Sequence, residues 1–340
     1  MTRFDALKSE LSAAPRTWLV TGAAGFIGSH LVEQLLRLGQ SVRGLDNFAT
    51  GRRQNLDEVR ELVGPSAWER FTFIEGDICD PAICQQACAG VDYVLHQAAL
   101  GSVPRSLADP MRTHRANVDG FLTMLVAARD AKVRRFVYAS SSSVYGDHPA
   151  LPKVEENIGA PLSPYAATKA INETYARVIS RCYPLPTVGL RYFNVFGPRQ
   201  DPNGPYAAVI PLWMKALLSG SDIAVNGDGS TSRDFCYIAN VVQANLLAAA
   251  GYAGTESLVL NIAVGKQTTL LQLVEAIVRT LPAQAAIVPP RITHRPERPG
   301  DVRHSLADIS KAKVSLGYQP LHTLEQGLVK TSSWYCRSLG

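Results

Sequence analysis

Short apolar runs alternate with segments of helical periodicity along the first 140 residues of the chain. Runs that predict β-strands lie at 17–21, 41–45, 71–77, 91–99 and 135–140, and helical spacing of apolar residues predicts helices at 29–39, 55–63, 80–89 and 117–131. Alternating strands and helices form a parallel sheet that helices cover on both faces. The pattern therefore predicts a doubly wound α/β fold with ligands at the carboxyl ends of the strands.

The pattern changes near residue 190, where prolines and glycines become frequent. They interrupt the chain between 197 and 211, a turn is expected at 225–229, and four prolines lie between Pro289 and Gly300. We therefore predict a smaller, irregular second domain of residues 194–235 and 264–340 over a sheet domain of residues 17–193 with about 236–263. Residues 1–16 are expected to form a leading helix or extension without recognisable chemistry.

Composition narrows the class of protein further. The chain has 340 residues, 46% of them hydrophobic and 19% charged, as in an ordinary globular protein. The net charge of +5 is spread without a long basic run, so a nucleic-acid partner is not expected. No apolar run is long enough for a bilayer and residues 1–15 lack a signal-peptide core, so we expect a cytoplasmic protein without a membrane partner. The six cysteines form no CxxC pair, which indicates reduced thiols rather than a zinc or other metal site.

A glycine motif joins the first strand to the first helix of the predicted sheet. Gly22, Gly25 and Gly28 lie three residues apart, where glycine permits a sharp turn, a close ligand and close helix–strand packing. The helix N-terminus that follows suits a pyrophosphate. Asp46, at the end of the second strand, is placed to accept hydrogen bonds from a ribose and would repel a 2′-phosphate. The sequence thus predicts a Rossmann-type site for NAD rather than NADP.

A serine run and a Tyr-x-x-x-Lys pair follow the dinucleotide motif. Residues 140–143 are all serine and end the fifth strand, and Tyr165 and Lys169 share one face of the next helix. A free tyrosine has a pKa near ~10, but a neighbouring ammonium group and a positively charged nicotinamide would both favour its phenolate. A strand-end serine could then align a substrate hydroxyl with this base. The pattern predicts proton abstraction beside a hydride acceptor.

These motifs resemble the extended short-chain dehydrogenase/reductase family of nucleotide-sugar epimerases, dehydratases and decarboxylases. The resemblance rests on residues 21–28, 46–48, 76–78, 96–99, Ser141, Tyr165 with Lys169, and 191–198, in the family's order. Residues 96–106 and 300–305 are typical of the UDP-hexose 4-epimerase branch, in particular of bacterial UDP-N-acetylglucosamine 4-epimerases. The serine-only strand end disfavours the dehydratases, which carry Thr-Asp-Glu there, and the decarboxylases, which place an acid in that loop.

The resemblance implies a mechanism and a set of ligand contacts. Tyr165 would take the C4 hydroxyl proton as hydride leaves for NAD, Ser141 would steady that oxygen, and Lys169 would hold the nicotinamide ribose; the transient 4-keto sugar then turns over. The implied NAD contacts are Gly22, Gly25, Phe26, Ile27, Gly28, Asp46, Asn47, Gly51, Asp77, Ile78, Gln97, Ala98, Ala99, Tyr165, Lys169, Tyr192 and Val195. The implied contacts to a UDP-sugar are Ser102, Val103, Ser141, Ser142, Asn194, Val209, Trp213, Asn226, Arg233, Arg298, Asp301 and Ser305.

Some of these contacts carry specific expectations. Asn194 is expected to hold the sugar or a phosphate, Arg233 and Arg298 to clamp the diphosphate, and Asp301 to accept hydrogen bonds from the uridine ribose. In relatives restricted to UDP-glucose and UDP-galactose a tyrosine commonly occupies the position of Ser305. Serine leaves room for a C2 N-acetyl group, which favours reversible conversion of UDP-GlcNAc to UDP-GalNAc for polysaccharide or O-antigen synthesis.

Three other activities stay open at this point. They are 4-epimerisation of UDP-N-acetylglucosaminuronate, which needs one more cation near C6, 4-epimerisation of UDP-glucose and UDP-galactose, and a non-catalytic NAD-binding role. The last is disfavoured because Ser141, Tyr165 and Lys169 are all present. The resemblance further implies a homodimer formed through the helices near 117–131 and 165–181.

Overall fold

The computed structural model describes residues 2–204, 207–281, 291–296 and 302–339. Its helices are α1 Arg3–Ala13, α2 Phe26–Arg37, α3 Arg53–Val63, α4 Pro65–Trp68, α5 Pro81–Cys88, α6 Val103–Ala108, α7 Pro110–His114, α8 Gly120–Asp130, α9 Pro164–Cys182, α10 Val209–Leu218, α11 Ile238–Leu246, α12 Leu270–Thr280, α13 Ser310–Leu316 and α14 Leu324–Leu339. Arg115–Asp119 and Leu247–Gly251 are π-helical and Ser142–Tyr145 is a 3₁₀ turn.

The strands fall into one large sheet and three small pairs. They are β1 Thr17–Thr21, β2 Ser41–Asp46, β3 Phe71–Glu75, β4 Tyr93–His96, β5 Arg135–Ser141, β6 Thr187–Tyr192, β7 Val195–Phe196, β8 Ile223–Asn226, β9 Ser232–Arg233, β10 Cys236–Tyr237, β11 Leu258–Ile262, β12 Thr268–Thr269 and β13 Ile292–Arg295. The large sheet has the order β11-β6-β5-β4-β1-β2-β3, and all its pairs are parallel. The predicted doubly wound parallel sheet is confirmed.

Two buried clusters of apolar residues fix the helices to the two faces of this sheet. On one face α2 packs against α3 and α11, and on the other α5 packs against α8, which in turn contacts α9. Continuous apolar strands are expected when both faces are covered. The strand order reverses between β1 and β4, and the carboxyl ends at this crevice are where an open α/β sheet binds ligands.

Most of the other strands, and several of the later helices, lie outside the large sheet. Three small pairs, β7 with β10, β9 with β12, and β8 with β13, lie outside the large sheet. The helices α10, α12 and α14 pack against one another. β11 adds an edge strand to the large sheet beside β6. Helix α1 is part of the main core, because Phe4, Leu7 and Leu11 are buried in it.

Two predicted elements differ from the structure. The helix expected at 117–131 is α8 preceded by a π-helical turn, and two short helices, α6 and α7, come before it. These begin at Ser102 and Asp109, whose side chains cap helices with proline in the first turn. The strand expected at 91–99 covers only Tyr93–His96, because the Ala98 N–H binds the Thr21 hydroxyl (3.2 Å) instead of a neighbouring strand.

Within the described part of the chain, no helix is both long and apolar enough to cross a membrane. The six cysteines are free thiols.

Candidate active site

A cleft lies over the turn between β1 and α2. We call it the glycine cleft, and its volume is about 570 Å³. Gly22 has φ +66°, and a Cβ there would lie 2.9 Å from the Ala98 nitrogen; a Cβ on Gly28 would lie 2.0 Å from the Gly22 oxygen. All three motif glycines line the cleft, and α2 begins there with no side-chain cap on its N–H groups. Such a helix start is suited to bind an anion through its backbone.

An acidic side chain closes one end of the glycine cleft. The Asp46 oxygens accept hydrogen bonds from the backbone N–H groups of Ala24 (2.9 Å) and Phe48 (2.8 Å), which leaves further lone pairs for a ligand. Burial raises the pKa of Asp46, and these two N–H groups partly offset the rise by favouring the carboxylate. A Cβ on Gly51 would lie 2.8 Å from both oxygens, so glycine there preserves the space around the carboxylate.

Amide side chains fix other parts of the cleft wall. Gln97 donates to the Asn245 side chain (3.0 Å) and accepts from the Tyr192 hydroxyl (3.0 Å). Asn47 donates to Asp77 (3.0 Å) at the ends of the neighbouring strands. The Gln97 bonds tie the ends of β4 and β6 to α11, and the Asn47 bond ties the end of β2 to that of β3. Side chains from several elements thus hold the cleft.

The predicted catalytic residues meet where β5 ends and α9 begins. The Ser163 side chain accepts from the Ala166 N–H (3.1 Å) and Pro164 follows it, so α9 starts with Tyr165 in its first turn. Tyr165 and Ser141 interact through a side-chain hydrogen bond. Lys169, one helical turn further on, donates from Nζ to the Ala139 carbonyl (2.7 Å), and its Nζ lies 5.9 Å from the centre of the Tyr165 ring.

Burial shifts the pKa values of both Tyr165 and Lys169. Burial raises the pKa of Tyr165, and the hydrogen bond with Ser141 counteracts this only in part. The lowering that Lys169 and bound NAD are expected to cause stays a prediction; in this structure the Lys169 Nζ is hydrogen-bonded to the Ala139 carbonyl. Burial lowers the pKa of Lys169 to about 8, and the charge of Glu173 opposes that change.

Ser141 and Tyr165 line a second cavity of about 290 Å³, which we call the serine pocket; Lys169 lies behind them and does not line it. Its lining is rich in hydroxyl groups and holds no carboxylate among the described residues. The residues that line it are Ser102, Val103, Ser141, Ser142, Ser143, Tyr145, Gly146, Lys153, Leu162, Ser163, Tyr165, Ala166, Asn194, Arg233, Val302 and Ser305. Ser305 is buried, and its N–H donates to the Ser232 carbonyl (3.0 Å), which places it opposite the catalytic pair.

A third cavity, the tryptophan pocket, continues from the serine pocket. It also measures about 290 Å³ and shares Asn194, Arg233 and Val302 with the serine pocket. Arg233 donates to the carbonyls of Ser232 (2.9 Å) and Arg303 (3.1 Å). Trp213 donates from its indole to Ala224 (3.1 Å), which fixes one wall. The two pockets therefore form one continuous path with a guanidinium group at the junction.

Most of the residues predicted from the sequence lie in these three cavities. Phe26, Ile27, Asp77, Ile78, Ala98 and Ala99 line the glycine cleft with the residues already described. Val209, Trp213 and Asn226 line the tryptophan pocket, and so does Val195, which does not line the glycine cleft. Tyr192 lies behind Gln97 rather than on the surface of the cleft. Arg298 and Asp301 fall outside the described residues.

Several lining residues are absent from the sequence-based set. Lys153 and Ser143 line the serine pocket, Gln200 lines the tryptophan pocket, and Arg112 and Arg115 line the glycine cleft. Ser143 could have been inferred from the serine run. No recognisable motif surrounds Lys153, and the chain brings it to the pocket through backbone bonds to Leu306 and Asp308.

Comparison with known proteins gives this arrangement a family. Residues 18–263 match the NAD dependent epimerase/dehydratase family. The chain belongs to this family. The UDP-glucose 4-epimerase of Mycolicibacterium smegmatis is 38% identical over 319 residues, which cover 93% of this chain and 97% of that protein.

Two solved structures are similar over nearly the whole length. A UDP-N-acetylglucosamine 4-epimerase from Methanobrevibacter ruminantium, in complex with UDP-N-acetylmuramic acid, is 38% identical with a TM-score of 0.86 and covers 95% of this chain and 99% of its own. The UDP-glucose 4-epimerase of Thermus thermophilus, in complex with NAD, is 33% identical with a TM-score of 0.81 and covers 94% and 99%.

NAD is the cofactor of this epimerase-family chain, and the glycine cleft fits it. Glycine at positions 22 and 28 permits the close turn, and the uncapped N–H groups at the start of α2 can bind a pyrophosphate. Asp46 offers a carboxylate for ribose hydroxyls, and its charge disfavours a 2′-phosphate. The cleft leads to Tyr165 and Lys169 through the strand ends that carry Gln97 and Ser141.

Proposed function

We propose that the protein inverts C4 of a UDP-N-acetylhexosamine and so interconverts UDP-GlcNAc and UDP-GalNAc. The observation that carries the proposal is the continuity of the serine pocket, which Ser141 and Tyr165 line, with the tryptophan pocket through Asn194 and Arg233. A nucleoside diphosphate fits this path because a guanidinium group binds phosphate oxygens and aromatic and apolar side chains line the far end. The names and structures of the similar epimerases support the same substrate class.

Each catalytic side chain has a separate task in this proposal. Tyr165 takes the proton from the C4 hydroxyl and returns it after inversion, and Ser141 holds that oxygen in line. Lys169 holds the nicotinamide ribose, and its charge favours ionisation of Tyr165 once both face the cofactor. NAD, when bound, accepts a hydride from C4 and gives it back, and its positive charge favours the phenolate. No external reductant is then consumed.

Ser305 supports the N-acetylated pair of substrates. It is small, buried and in the same pocket as Ser141 and Tyr165. A serine leaves space for a C2 N-acetyl group and supplies a hydroxyl donor to its carbonyl. A larger side chain at this position would fill that space.

Turnover and cofactor content of a tyrosine variant test the proposal. We expect the purified protein to contain NAD and to convert UDP-GlcNAc and UDP-GalNAc with a higher kcat/KM than UDP-glucose and UDP-galactose. Tyr165→Phe should keep NAD but lose about 10²–10⁴-fold in kcat, because it removes the general base. Near wild-type turnover in this variant would remove Tyr165 from the mechanism, and a wild type that converts no UDP-sugar would point to a non-catalytic NAD-binding protein.

One observation favours a second candidate, the 4-epimerisation of UDP-N-acetylglucosaminuronate. Lys153 is a buried cation that lines the serine pocket, and its Nζ donates to the His148 carbonyl. Its charge would stabilise a carboxylate at C6. Because Arg233 is the second cation in a pocket without a described carboxylate, an anionic sugar suits its electrostatics.

Substitution of the lysine separates the two candidates. Lys153→Met should reduce kcat/KM for the uronate by about 10–100-fold and change that for UDP-GlcNAc much less, since a charged hydrogen bond contributes about 1.5–3 kcal/mol. Equal losses of kcat/KM for both sugars would show that Lys153 stabilises the structure of the pocket and does not bind the uronate carboxylate. Lys311→Met is a suitable control, because Lys311 pairs with exposed Glu156 and does not line the pocket.

We further propose that the protein is a homodimer formed through α9 and its neighbours. The helices α6 and α7 pack against α9. Leu107, Met111, Tyr175 and Val178, which lie on these three helices, are exposed apolar side chains. A second copy of the chain would cover them.

A further inference from the structure

A buried ion pair lies directly behind the catalytic residues. Arg191 donates from Nε (2.9 Å) and Nη2 (2.8 Å) to the two carboxylate oxygens of Glu173, and all of these atoms are in the protein interior. The Ser140 hydroxyl donates to the same carboxylate (2.5 Å). Neither Glu173 nor Arg191 lines any of the three cavities, so neither touches a ligand there.

The Glu173–Arg191 ion pair is linked to the catalytic residues through helix α9 and the end of β5. Tyr165, Lys169 and Glu173 follow one another at four-residue spacing on one face of α9. They bind three successive residues at the end of β5: Tyr165 interacts with Ser141, Lys169 donates to Ala139, and Glu173 accepts from Ser140. Three hydrogen bonds thus fix this side of α9 to the end of β5.

Arg191 also links Glu173 to residues outside α9 and β5. It belongs to β6, donates from Nη1 to the Glu155 carbonyl (3.0 Å) and lies 4.8 Å above the Tyr145 ring. Tyr145 in turn donates to Asn261 of β11 (2.6 Å). A buried, bidentate ion pair with these additional bonds has one well-defined geometry, and breaking either partner leaves an uncompensated charge.

The charges around Lys169 come from a small set of groups. On α9 these are Tyr165 and Glu173; His96 ends β4, Tyr138 lies in β5 and Arg191 in β6. Burial keeps the pKa of His96 at about 3 and that of Tyr138 well above its usual range, so both are neutral. The charged groups of the adjacent π-helical turn, Arg115 and Asp119, are solvent-exposed. Glu173 is the one carboxylate whose charge raises the pKa of Lys169 among the described residues.

We propose that Glu173 is a positioning residue of the active site, which holds Ser141 opposite Tyr165 through Ser140 and places a negative charge one helical turn from Lys169. The proposal rests on the proposed function for its catalytic consequence, because only an enzyme that uses Tyr165 and Lys169 needs both to be set in this way. Arg191 holds the carboxylate in place.

Titration of Lys169 tests the electrostatic part without turnover. The protein is labelled with ¹³C at lysine Cε, and the Lys169 signal is assigned by its loss in Lys169→Arg. In the wild type we expect the Lys169 signal to titrate with a midpoint near pH 8. In Glu173→Gln this midpoint should fall by about one pH unit, because the negative charge that favours the ammonium form is removed. The double variant Glu173→Gln/Arg191→Met leaves no unpaired buried cation and remains informative if the single variant does not fold. Its midpoint should fall by a smaller amount, because loss of the Arg191 cation opposes loss of the carboxylate. An unchanged midpoint in the folded variants would overturn the proposal.

Ser140→Ala tests the positioning part with both charges in place. It should leave the Lys169 midpoint unchanged but lower kcat by about tenfold or more, with little change in KM, because Ser141 is no longer held through its neighbour. A Lys169 midpoint that moves as far in Ser140→Ala as in Glu173→Gln would reduce the network to a purely structural role. Because the titration needs no substrate, its outcome is independent of whether the wild type turns over any UDP-sugar.

Discussion

A single small side chain, that of Ser305, lines the serine pocket beside Ser141 and Tyr165. Ser305 lies between the backbone anchored at Ser232 and the space in front of Ser141 and Tyr165. The side chain of its neighbour His304 shares a hydrogen bond with the Ser232 hydroxyl (2.8 Å), so two bonds fix this segment to Ser232. A bulky residue at 305 cannot be accommodated by an outward shift of this segment and would project into the pocket instead.

We therefore expect Ser305→Tyr to narrow the range of substrates. The variant should lose activity on UDP-GlcNAc and UDP-GalNAc by steric exclusion of the N-acetyl group, while UDP-glucose and UDP-galactose are converted about as well as before. The measurement is kcat/KM for both pairs in wild type and variant. If the ratio between the pairs stays the same, Ser305 does not control the pocket.

Residues differ in how far the sequence reveals them. Tyr165, Lys169 and Ser141 could be predicted because their spacing follows from one helix and one strand end. Lys153 could not, because it reaches the serine pocket through tertiary bonds to residues more than a hundred positions away. Glu173 shares the helical spacing of Tyr165 and Lys169, but an exposed helical glutamate would show the same pattern. Its burial against Arg191 is a property of the fold alone.

At the scale of elements, one buried carboxylate joins the segments around the substrate path. Asp234 follows Arg233 and accepts hydrogen bonds from the N–H groups of Val264 (3.1 Å), Gly265 (2.9 Å) and Ala307 (3.4 Å). It thereby fixes the end of β11 and the segment of Ser305 relative to Arg233. Burial raises the pKa of Asp234 to about 6, and the backbone N–H groups offset only part of this rise.

The raised pKa predicts a pH-dependent contribution to stability. Between about pH 4 and 6 the folded protein binds the Asp234 proton more tightly than the unfolded chain does, so stability falls as pH rises through this window. Asp234→Asn has no titrating group at this position. Its amide also fits the three N–H donors less well, which lowers the free energy of unfolding by an amount that does not change with pH. Between pH 4 and pH 7 the free energy of unfolding of the wild type should therefore fall by about 1–3 kcal/mol relative to that of Asp234→Asn. Free energies of unfolding in urea at both pH values measure the difference; a constant difference would contradict the assignment.

Elements are predicted well where local pattern and tertiary structure agree. β1, β2, β5 and α9 lie close to their predicted positions because apolar periodicity and burial coincide there. The segment 97–119 is the exception, since Ser102 and Asp109 start two short helices and a π-helical turn replaces the expected first turn of α8. This segment lines the glycine cleft and the serine pocket, where contacts with other parts of the chain decide the local conformation.

At the scale of the whole molecule, the site exists only where the large sheet and the later segments meet. Ser141 and Tyr165 come from the sheet and α9, whereas Arg233, Val302 and Ser305 come from the chain beyond β8. Asn194 lies between these two groups, with φ +32°, and its carbonyl accepts from the Cys236 N–H (3.2 Å). The composition shift near residue 190 predicted a second domain, which stays a prediction; Asn194, Arg233 and Ser305 were expected in the site from the family resemblance and not from composition.

The remaining prediction concerns the surface of α9 that faces away from the site. Met111 is 76% exposed and Val178 is 48% exposed, on helices that pack against each other. Exposed apolar side chains are common singly, but a group of them on adjoining helices is typical of a protein interface. If a second copy covers this surface, a charge placed there would have to be buried unpaired, which strongly disfavours association.

Val178→Glu should therefore convert a dimer into a monomer, as measured by light scattering after size-exclusion chromatography. Val314→Glu is the matched control, because Val314 is 88% exposed on α13 and an added charge there stays in water. Since Tyr165 and Lys169 lie on α9, the same helix that carries Val178, the monomer should also bind NAD less tightly if the interface stabilises that helix. A wild type that is monomeric at all concentrations, or dimers that persist equally in both variants, would exclude this surface as the interface.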